Sequence, residues 1–356
     1  MIDRRTASVL FTILGFAAML TLIYEARRPL ILFIFAILFA YLLDPLVSRL
    51  QRYLRGSRGL AVAATYLLLG AVIAGFGITA GPRIFKEGER LVRELPALVA
   101  DVGSGQIAQQ VGMQQGWDVK TRLQVQVFLT GHRAAITHYA QMVTAYAAGV
   151  AANVLWLLLI PILAVFLLKE HAHMADAFLG LIEGARRRLF FELLLNDLNA
   201  MLASFIRTQL WFAALGFAAY TSFLVLLQFP YAFALGATAG FLEFIPFVGP
   251  MISILLIMGV AMLQSYTHWV AVLAFLLLWR AVQDYVVSPY LMGHGLKLHP
   301  LTVILGVLVG GEIVGVLGLF LSAPILAGLR IVWNVWKIRA ATCSTLHSEA
   351  LPERSR

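Results

Sequence analysis

The sequence predicts an all-α polytopic membrane protein with about eight transmembrane helices. Of its 356 residues, 61% are hydrophobic and only 13% are charged, and the mean hydropathy is +0.85. Soluble domains carry about 25% charged residues, so this composition excludes a soluble fold. Apolar runs of about 20 residues are long enough to cross a bilayer. They lie near 7–25, 30–48, 59–81, 143–168, 206–228, 231–264, 267–287 and 301–324.

The apolar runs and the polar stretches between them divide the chain into six parts. The first run is followed directly by Arg27, Arg28 and another apolar run, so we interpret it as an uncleaved helix rather than a signal peptide. Pro96 and several glycines predict two or three amphipathic helices between the third and fourth spans. The predicted parts are 1–81 with three transmembrane helices, 82–142 as an extramembrane helical segment, 143–168 as the fourth transmembrane helix, 169–205 as a cytoplasmic amphipathic linker, 206–340 as a C-terminal helical bundle, and 341–356 as a disordered cytoplasmic tail.

Basic residues predict the orientation of the chain and its partners. They flank the apolar runs, and most of them fall on one side of an eight-helix bundle. The positive-inside rule makes that side cytoplasmic, so both termini are expected in the cytoplasm. The net charge of +9 is better explained by contact with anionic lipid head groups than by nucleic acid, because the arginines lie beside apolar runs. Membrane lipids are therefore expected partners, and nucleic acid is not.

The sequence does not predict an enzyme, a cofactor or a metal site. It contains neither a GxxxxGK[ST] phosphate loop nor a Gly-x-Ser-x-Gly nucleophile elbow. Cys343 is the single cysteine, so a cysteine-based metal cluster is excluded. His171 and His173 lie near Glu170 and Asp176, but a His-x-His pair without a defined third ligand is more typical of a solvated linker.

Two proline- and glycine-rich elements interrupt the apolar runs of the C-terminal part. Proline lacks an N–H and leaves carbonyl groups outside the helical hydrogen-bond ladder. We therefore predict broken or re-entrant helices near 243–250 and 289–300, and the 231–264 run is either one broken helix or two half-helices that turn back. The 301–324 run is expected to bend at Pro324. The predicted break and hinge residues are Pro246, Gly249, Pro250, Pro289, Gly293, Gly295 and Pro300.

Polar residues inside the apolar runs are the candidates for function, because they are costly in lipid and usually face the bundle interior. Glu243 directly precedes the first break, and it is either a gate or proton carrier or a carboxylate at the head groups. Arg280 and Asp284 are four residues apart, so they form either an internal ion pair or part of a transport route. Gln209 opens the fifth span. The predicted transport and coupling residues are Glu243, Asp284, Arg280, Gln283 and Glu312.

Two further patterns concern packing. Glycines at four-residue spacing let helix backbones approach closely, and here they are Gly306, Gly310, Gly311, Gly315 and Gly318. The 169–205 linker carries an apolar stripe from Phe190 to Phe205. That stripe predicts a helix either on the membrane surface or packed against the bundle.

Four motifs, in this order along the chain, resemble those of the autoinducer-2 exporter family, also called the PerM-like permeases. They are Arg207-Thr-Gln209, Ile245-Pro-Phe-Val-Gly249-Pro250, Gln283-Asp284 with Pro289, and the run from Leu298-His299-Pro300 through the glycines to Pro324. The resemblance covers essentially the whole chain. It implies a homo-oligomer of the bacterial inner membrane that works without ATP hydrolysis, with export of autoinducer-2 or sodium/proton antiport as the activities of family members.

Together, the residues and the resemblance predict a secondary transporter of a small polar solute, such as an autoinducer-2-like signalling molecule, coupled to H⁺ or Na⁺. The alternatives are a sodium/proton antiporter, a membrane scaffold subunit that transports nothing, and an ion channel. In the scaffold alternative, the amphipathic 186–206 helix and the 82–142 segment are docking surfaces, and Glu243 and Asp284 have no role.

Overall fold

The computed structural model describes residues 4–54, 56–106, 109, 112–113, 116, 118–135, 137–138, 141, 154–246, 248–292 and 299–349. All regular structure in these residues is helical, so the predicted all-α fold is confirmed. The helices are α1 (Arg4–Glu25), α2 (Arg27–Tyr53), α3 (Arg58–Thr79), α4 (Gly81–Ser104), α5 (Val119–Gly131), α6 (Val154–Gly180), α7 (Ala185–Leu226), α8 (Ala232–Leu242), α9 (Val248–Leu263), α10 (Trp269–Val282), a π-helical segment (Gln283–Val287), α11 (Ser288–Met292), α12 (Pro300–Val314) and α13 (Val316–Glu349).

Five segments of the described residues are long and apolar enough to cross a membrane. They are Pro29–Tyr53, Arg58–Thr79, Arg187–Leu226, Trp269–Tyr290 and Leu317–Lys337. The other apolar helices are shorter: Leu10–Met19, Ala232–Leu242, Val248–Leu263 and Leu301–Ile313. The chain is therefore a multi-pass membrane protein. The predicted fourth span is described only from Val154 onward, as α6.

The helices form two compact units. One contains Met1–Thr65 and Ala152–Ala177, and the other contains Tyr66–Ala151 and Phe178–Arg356. In the first unit, the Arg58 side chain donates a 2.5 Å hydrogen bond to the carbonyl of Leu168 and pairs with Asp44 at 3.1 Å. These bonds join α2, the start of α3 and α6. The candidate site lies wholly in the second unit.

Within the second unit, α8 and α9 form a hairpin, which we call the first hairpin. The two helices run antiparallel, because the Gln264 amide after α9 donates to the Tyr231 hydroxyl before α8 at 3.4 Å. At 1.5 Å per residue, 11 residues of α8 extend about 16 Å and 16 residues of α9 about 24 Å, less than the ~30 Å hydrocarbon core. The 231–264 run is therefore two half-helices that turn back.

A second hairpin consists of α12 and the first part of α13. Gly310 lies against Gly318, and Gly306 lies against Leu326, so the two helices are antiparallel. The turn is at Gly315, whose φ of +68° is available to glycine at little cost. The chain reverses at Gly315, and Pro324, where a bend was predicted, lies inside α13.

Both hairpins pack along α7, from opposite ends. The base of the first hairpin is close to the end of α7, since the Tyr266 hydroxyl donates to the Leu227 carbonyl at 2.5 Å. At the other end, Gly328 of α13 lies against Leu198 of α7. The two hairpins meet where the rings of Phe244 and Phe320 are 6.1 Å apart. Phe205 of α7 contacts the same Phe320 ring, at 5.8 Å.

Helix α7 is a single element of 42 residues that joins the predicted amphipathic linker to the predicted fifth span. Its apolar stripe is partly or fully buried, and Leu198 and Met201 lie next to Gly328 of α13. Of the two alternatives for this stripe, the structure therefore favours packing against the bundle.

Three further differences from the prediction concern helix ends. Pro96 lies inside α4 rather than between helices, and it is exposed, so solvent can satisfy the carbonyl that its missing N–H leaves free. Pro289 lies inside α11, which follows the π-helical segment directly, so the chain stays helical through this proline. The last helix continues to Glu349, whereas a disordered tail was predicted from residue 341. Residues 350–356 lie outside the described residues.

Candidate transport site

The candidate site is built around the tip of the first hairpin. Helix α8 ends at Leu242, and α9 begins at Val248. Between them, short-range hydrogen bonds tighten the turn, including the Ile245 N–H to the Leu242 carbonyl at 2.9 Å. A Cβ at Gly249 would overlap the Leu242 carbonyl, so only glycine allows the chain to fold back this closely. The predicted break at 243–250 is thus confirmed.

One face of α7 receives this tip. Gln209, Gly216 and Tyr220 stand at i, i+7 and i+11, a spacing that places them on one side of a helix. The Gln209 amide nitrogen donates to the carbonyls of Glu243 and Phe244, at 3.3 and 2.9 Å. These bonds satisfy two carbonyls that the helix break leaves outside the α-helical ladder.

Close glycine packing brings α7 and the first hairpin together. A Cβ on Gly240 would lie 2.9 Å from the Ala213 carbonyl oxygen, and one on Gly236 would overlap the Thr221 hydroxyl. A Cβ on Gly216 would lie 3.0 Å from the Cγ of Glu243. Small residues allow helix backbones to approach this closely. The spacing is what puts the Glu243 side chain within reach of α7.

Glu243 is the buried carboxylate of the site, with 5% of its surface exposed. The Tyr220 hydroxyl, itself on a residue 2% exposed, donates to Glu243 Oε1 at 3.0 Å. A carboxylate buried away from water is stabilised only by such donors and by nearby positive charge. Glu243 is therefore inside the protein.

The third side of the site is the end of α10 and the π-helical segment that follows it. Arg280 pairs with Asp284 at 2.7 Å, as their spacing predicted. Both charges, and the Gln283 amide, lie within electrostatic reach of the Glu243 carboxyl group. Short π-helical insertions widen a helix by one residue and occur frequently at functional sites.

The Gln283 amide is polar, buried and close to Glu243. The side chain is 1% exposed and interacts with the Glu243 carboxyl group, but neither its amide oxygen nor its nitrogen reaches a partner in full hydrogen-bond geometry among the described residues. The indole N–H of Trp279, one turn earlier, has no hydrogen-bond partner among the described residues. The Trp279 ring packs edge-to-face on Tyr220, with centroids 6.4 Å apart. Unpaired buried polar groups cost about 1–3 kcal/mol each, so they are retained where a ligand or water pairs with them.

The structure brings together four of the five predicted coupling residues: Glu243, Arg280, Gln283 and Asp284. Glu312 is different, because it is exposed on α12 close to the turn at Gly315. The glycines from Gly306 to Gly318 lie in the second hairpin, where four of them pack α12 against α13 and Gly315 forms the turn. Gly293 and Gly295 lie outside the described residues, and Pro300 begins α12 after the His299 cap.

Sequence analysis missed two contributors to the site and left a third without a role. Tyr220 and Gly216 were not selected, and Gln209 was noted only as a polar residue of the fifth span. The spacing of all three on one face of an apolar helix was the available signal. What that spacing could not reveal is which other segment the face would meet.

Comparison with known proteins identifies the family of the chain. Residues 10–338 match the family described as AI-2E family transporter. The chain belongs to this family. YrrI of Bacillus subtilis, named as a candidate transport protein, is 32% identical over 139 residues, which are 39% of each chain. A Synechocystis protein of the same description, sll0060, is 25% identical over 315 residues, covering 86% of this chain and 88% of the relative.

A third relative, the candidate permease PerM of Escherichia coli K12, is 23% identical over 310 residues and 85% of each chain. The matched region of this AI-2E family member includes both hairpins and α7. The family and the multi-pass fold together identify a membrane transporter.

Proposed function

We propose that this AI-2E family member is a secondary transporter that moves a small polar solute across the bacterial inner membrane, driven by an H⁺ or Na⁺ gradient. The proposal rests mainly on the position of Glu243. It is a buried carboxylate at the tip of a hairpin whose two helices are each too short to span the membrane. Secondary transporters bind polar substrates and coupling ions where broken helices end inside the membrane. A signalling molecule of the autoinducer-2 kind is one such solute.

In this proposal Glu243 carries the coupling charge. Its carboxyl group is held by the Tyr220 hydroxyl, and Arg280 balances negative charge nearby while paired with Asp284. The Gln283 amide, which offers both a donor and an acceptor beside Glu243, supports binding of a solute with hydroxyl or carbonyl groups in the same place. Binding of an ion to Glu243 would change the charge next to the solute, and this links the two.

The test is solute flux in proteoliposomes under imposed H⁺ or Na⁺ gradients. Glu243→Gln keeps the size of the side chain and an acceptor for the Tyr220 hydroxyl, so the protein is expected to stay folded while flux loses its gradient dependence. Glu192→Gln is the matched control, because Glu192 is exposed on α7 and outside the site. Gradient-coupled flux that is unchanged in Glu243→Gln would overturn the assignment.

Sodium/proton antiport is the second candidate, and the buried carboxylate is what favours it. A pH-sensitive dye inside the vesicles separates the two functions. A pH change on addition of Na⁺ alone supports antiport, whereas ion movement that requires an added organic solute supports the first proposal.

Cytoplasmic termini and a homo-oligomeric assembly are also part of the proposed function. Protease access in oriented vesicles and mass measurement in detergent are the respective tests.

A further inference from the structure

Helix α4 contacts the base of the first hairpin. Leu91 of α4 packs against the buried core that Tyr231, Leu235 and Ile257 share with other residues of α7, α8, α9 and α10. Within α4, Arg90 pairs with Glu94 at 2.8 Å and Arg93 pairs with Glu89 across one turn. These two ion pairs resemble each other in sequence, but only the first also touches the hairpin.

Glu87 of α4 caps the first turn of α8. Its Oε2 accepts the backbone N–H groups of Phe233 and Ala234, at 2.8 and 3.1 Å. These are among the first N–H groups of α8, which have no partner inside the helix. The residue at the N-cap position is Tyr231, at φ +57°, and tyrosine is not one of the residues whose short side chains cap helices. A carboxylate from another helix therefore does the work of the missing cap, at the positive end of the helix dipole.

Glu94 makes the second contact. Its carboxylate accepts a short hydrogen bond from the Tyr231 hydroxyl, while its other oxygen accepts the Arg90 guanidinium. The same Tyr231 hydroxyl accepts from Gln264 at the end of α9. Through the Tyr231 hydroxyl, Glu94 is thus connected to both ends of the hairpin base, the start of α8 and the end of α9.

The base and the tip of the first hairpin are joined by one short helix. Helix α8 is a continuous rod of 11 residues from Ala232 to Leu242, and Glu243 follows directly at its far end. Because a short helix moves as a rigid body, a displacement or rotation of its first turn also displaces its last residue. The bonds of Tyr220 and Gln209 to Glu243 need that residue to be placed within ångströms.

We propose that Glu87 and Glu94 are positioning residues for transport, which fix the first hairpin at its base and thereby place Glu243 at its tip. This inference rests on the proposed function only for its effect on flux. The anchoring of the hairpin by α4 stands apart from it and is measured separately.

The experiment combines hydrogen–deuterium exchange with flux, on the full-length protein. In Glu87→Ala, exchange of the Phe233 and Ala234 amides is expected to rise about fivefold, the factor that a lost helix cap of about 1 kcal/mol produces. Exchange of the tip around Glu243 should rise with it. The maximal rate of gradient-driven flux should fall, with a smaller change in the solute concentration that gives half of that rate.

Two variants exclude a general loss of structure. Glu89→Ala removes the same charge from α4, but Glu89 pairs only with Arg93 among the contacts of the described residues, so exchange and flux should match the wild type. Glu87→Gln retains an acceptor oxygen, so its amide exchange and its flux should both be close to those of the wild type. Glu87→Ala exchange equal to that of Glu89→Ala overturns the anchor. Faster exchange with unchanged coupled flux overturns the positioning role, and an absence of coupled flux in the wild type contradicts the proposed function but not the anchor.

Discussion

The two hairpins reach neighbouring points on α7 by different chemistry. The tip of the first hairpin is held on α7 by hydrogen bonds as well as by glycine packing, with bonds from Gln209 to two carbonyls and from Tyr220 to the Glu243 carboxylate. The two helices of the second hairpin are held to each other by backbone packing, in which Gly310 and Gly318 touch directly, and the hairpin meets α7 where Gly328 lies against Leu198. Its carboxylate, Glu312, is exposed rather than buried.

The difference shows which hairpin is suited to bind and which to support. Hydrogen bonds to a buried carboxylate can be exchanged for bonds to an ion or a solute, because each partner is polar and directional. A glycine seam offers no such exchange, since it stabilises by close contact alone. In the proposed function, the coupling chemistry therefore belongs to the first hairpin and a packing role to the second.

The largest effect is expected from Gly318→Ala, which tests the packing role of the second hairpin. A Cβ at this position would overlap the Gly310 carbonyl, and backbone cannot move aside as a side chain can. Overpacking costs about 1–3 kcal/mol and occasionally more, and we expect the upper end of that range. Thermal unfolding in detergent is the measurement.

The control for this change is Gly259→Ala in α9, where a new Cβ meets open space. It should leave the unfolding temperature unchanged or raise it slightly, because alanine favours helix. Equal stability of Gly318→Ala and Gly259→Ala would mean that the glycine seam does not hold the second hairpin.

A smaller effect is expected from Gln209→Ala, which tests the hydrogen bonds from Gln209 to the tip of the first hairpin. Two carbonyls lose their side-chain donor, and since a typical hydrogen bond contributes about 0.5–1.5 kcal/mol, the two together should cost about 1–3 kcal/mol. Coupled flux should fall more than stability, because the loosened tip carries Glu243. Asn196→Ala, at an exposed position on the same helix, is the control. Normal flux in Gln209→Ala would contradict a role for these hydrogen bonds in transport.

A third prediction concerns pH and the base of the first hairpin. The Tyr231 hydrogen bond, followed by the bond from Arg90, lowers the pKa of Glu94 below its ordinary value. A carboxylate with a lowered pKa in the folded state stabilises the protein above the unfolded pKa of about 4.3, and this contribution is lost as pH falls through the folded value.

Unfolding temperatures of the wild type and Glu94→Gln, measured from pH 7 downward, check this. The wild type should be slightly more stable at neutral pH, and the gap should close in acid below pH ~4.3. Tyr231→Phe removes the larger cause and should move the closing of the gap toward the ordinary pKa of glutamate. A gap that is constant with pH contradicts the contact.

The smallest effect is expected from Glu312→Gln, which sharpens the contrast between the carboxylates. Glu312 is exposed on the second hairpin, so its neutralisation should leave both gradient coupling and stability near those of the wild type. Proteoliposome flux measured beside Glu243→Gln is the test. A loss of coupling in Glu312→Gln would place function in the second hairpin and remove the contrast.

Much of the site was predictable because its chemistry is local. The pairing of Arg280 with Asp284 follows from a spacing of four residues in a helix, and the break after Glu243 follows from two prolines and a glycine. The turn at Gly315 was harder, since Pro324 is the stronger helix breaker by composition. The chain reverses at Gly315 because its backbone there takes a positive φ. The sequence alone does not show which of several glycines takes this conformation.

By itself, the sequence determined the class of the protein, its apolar runs and the position of its costly polar residues, because hydropathy and helix periodicity are properties of the chain alone. Only the tertiary structure decided that the 231–264 run folds back, that Tyr220 reaches Glu243, and that Glu87 caps a helix 146 residues away. The physical reason is that these contacts join distant segments. Their energy depends on which helix faces meet, and that is settled by the packing of the whole bundle.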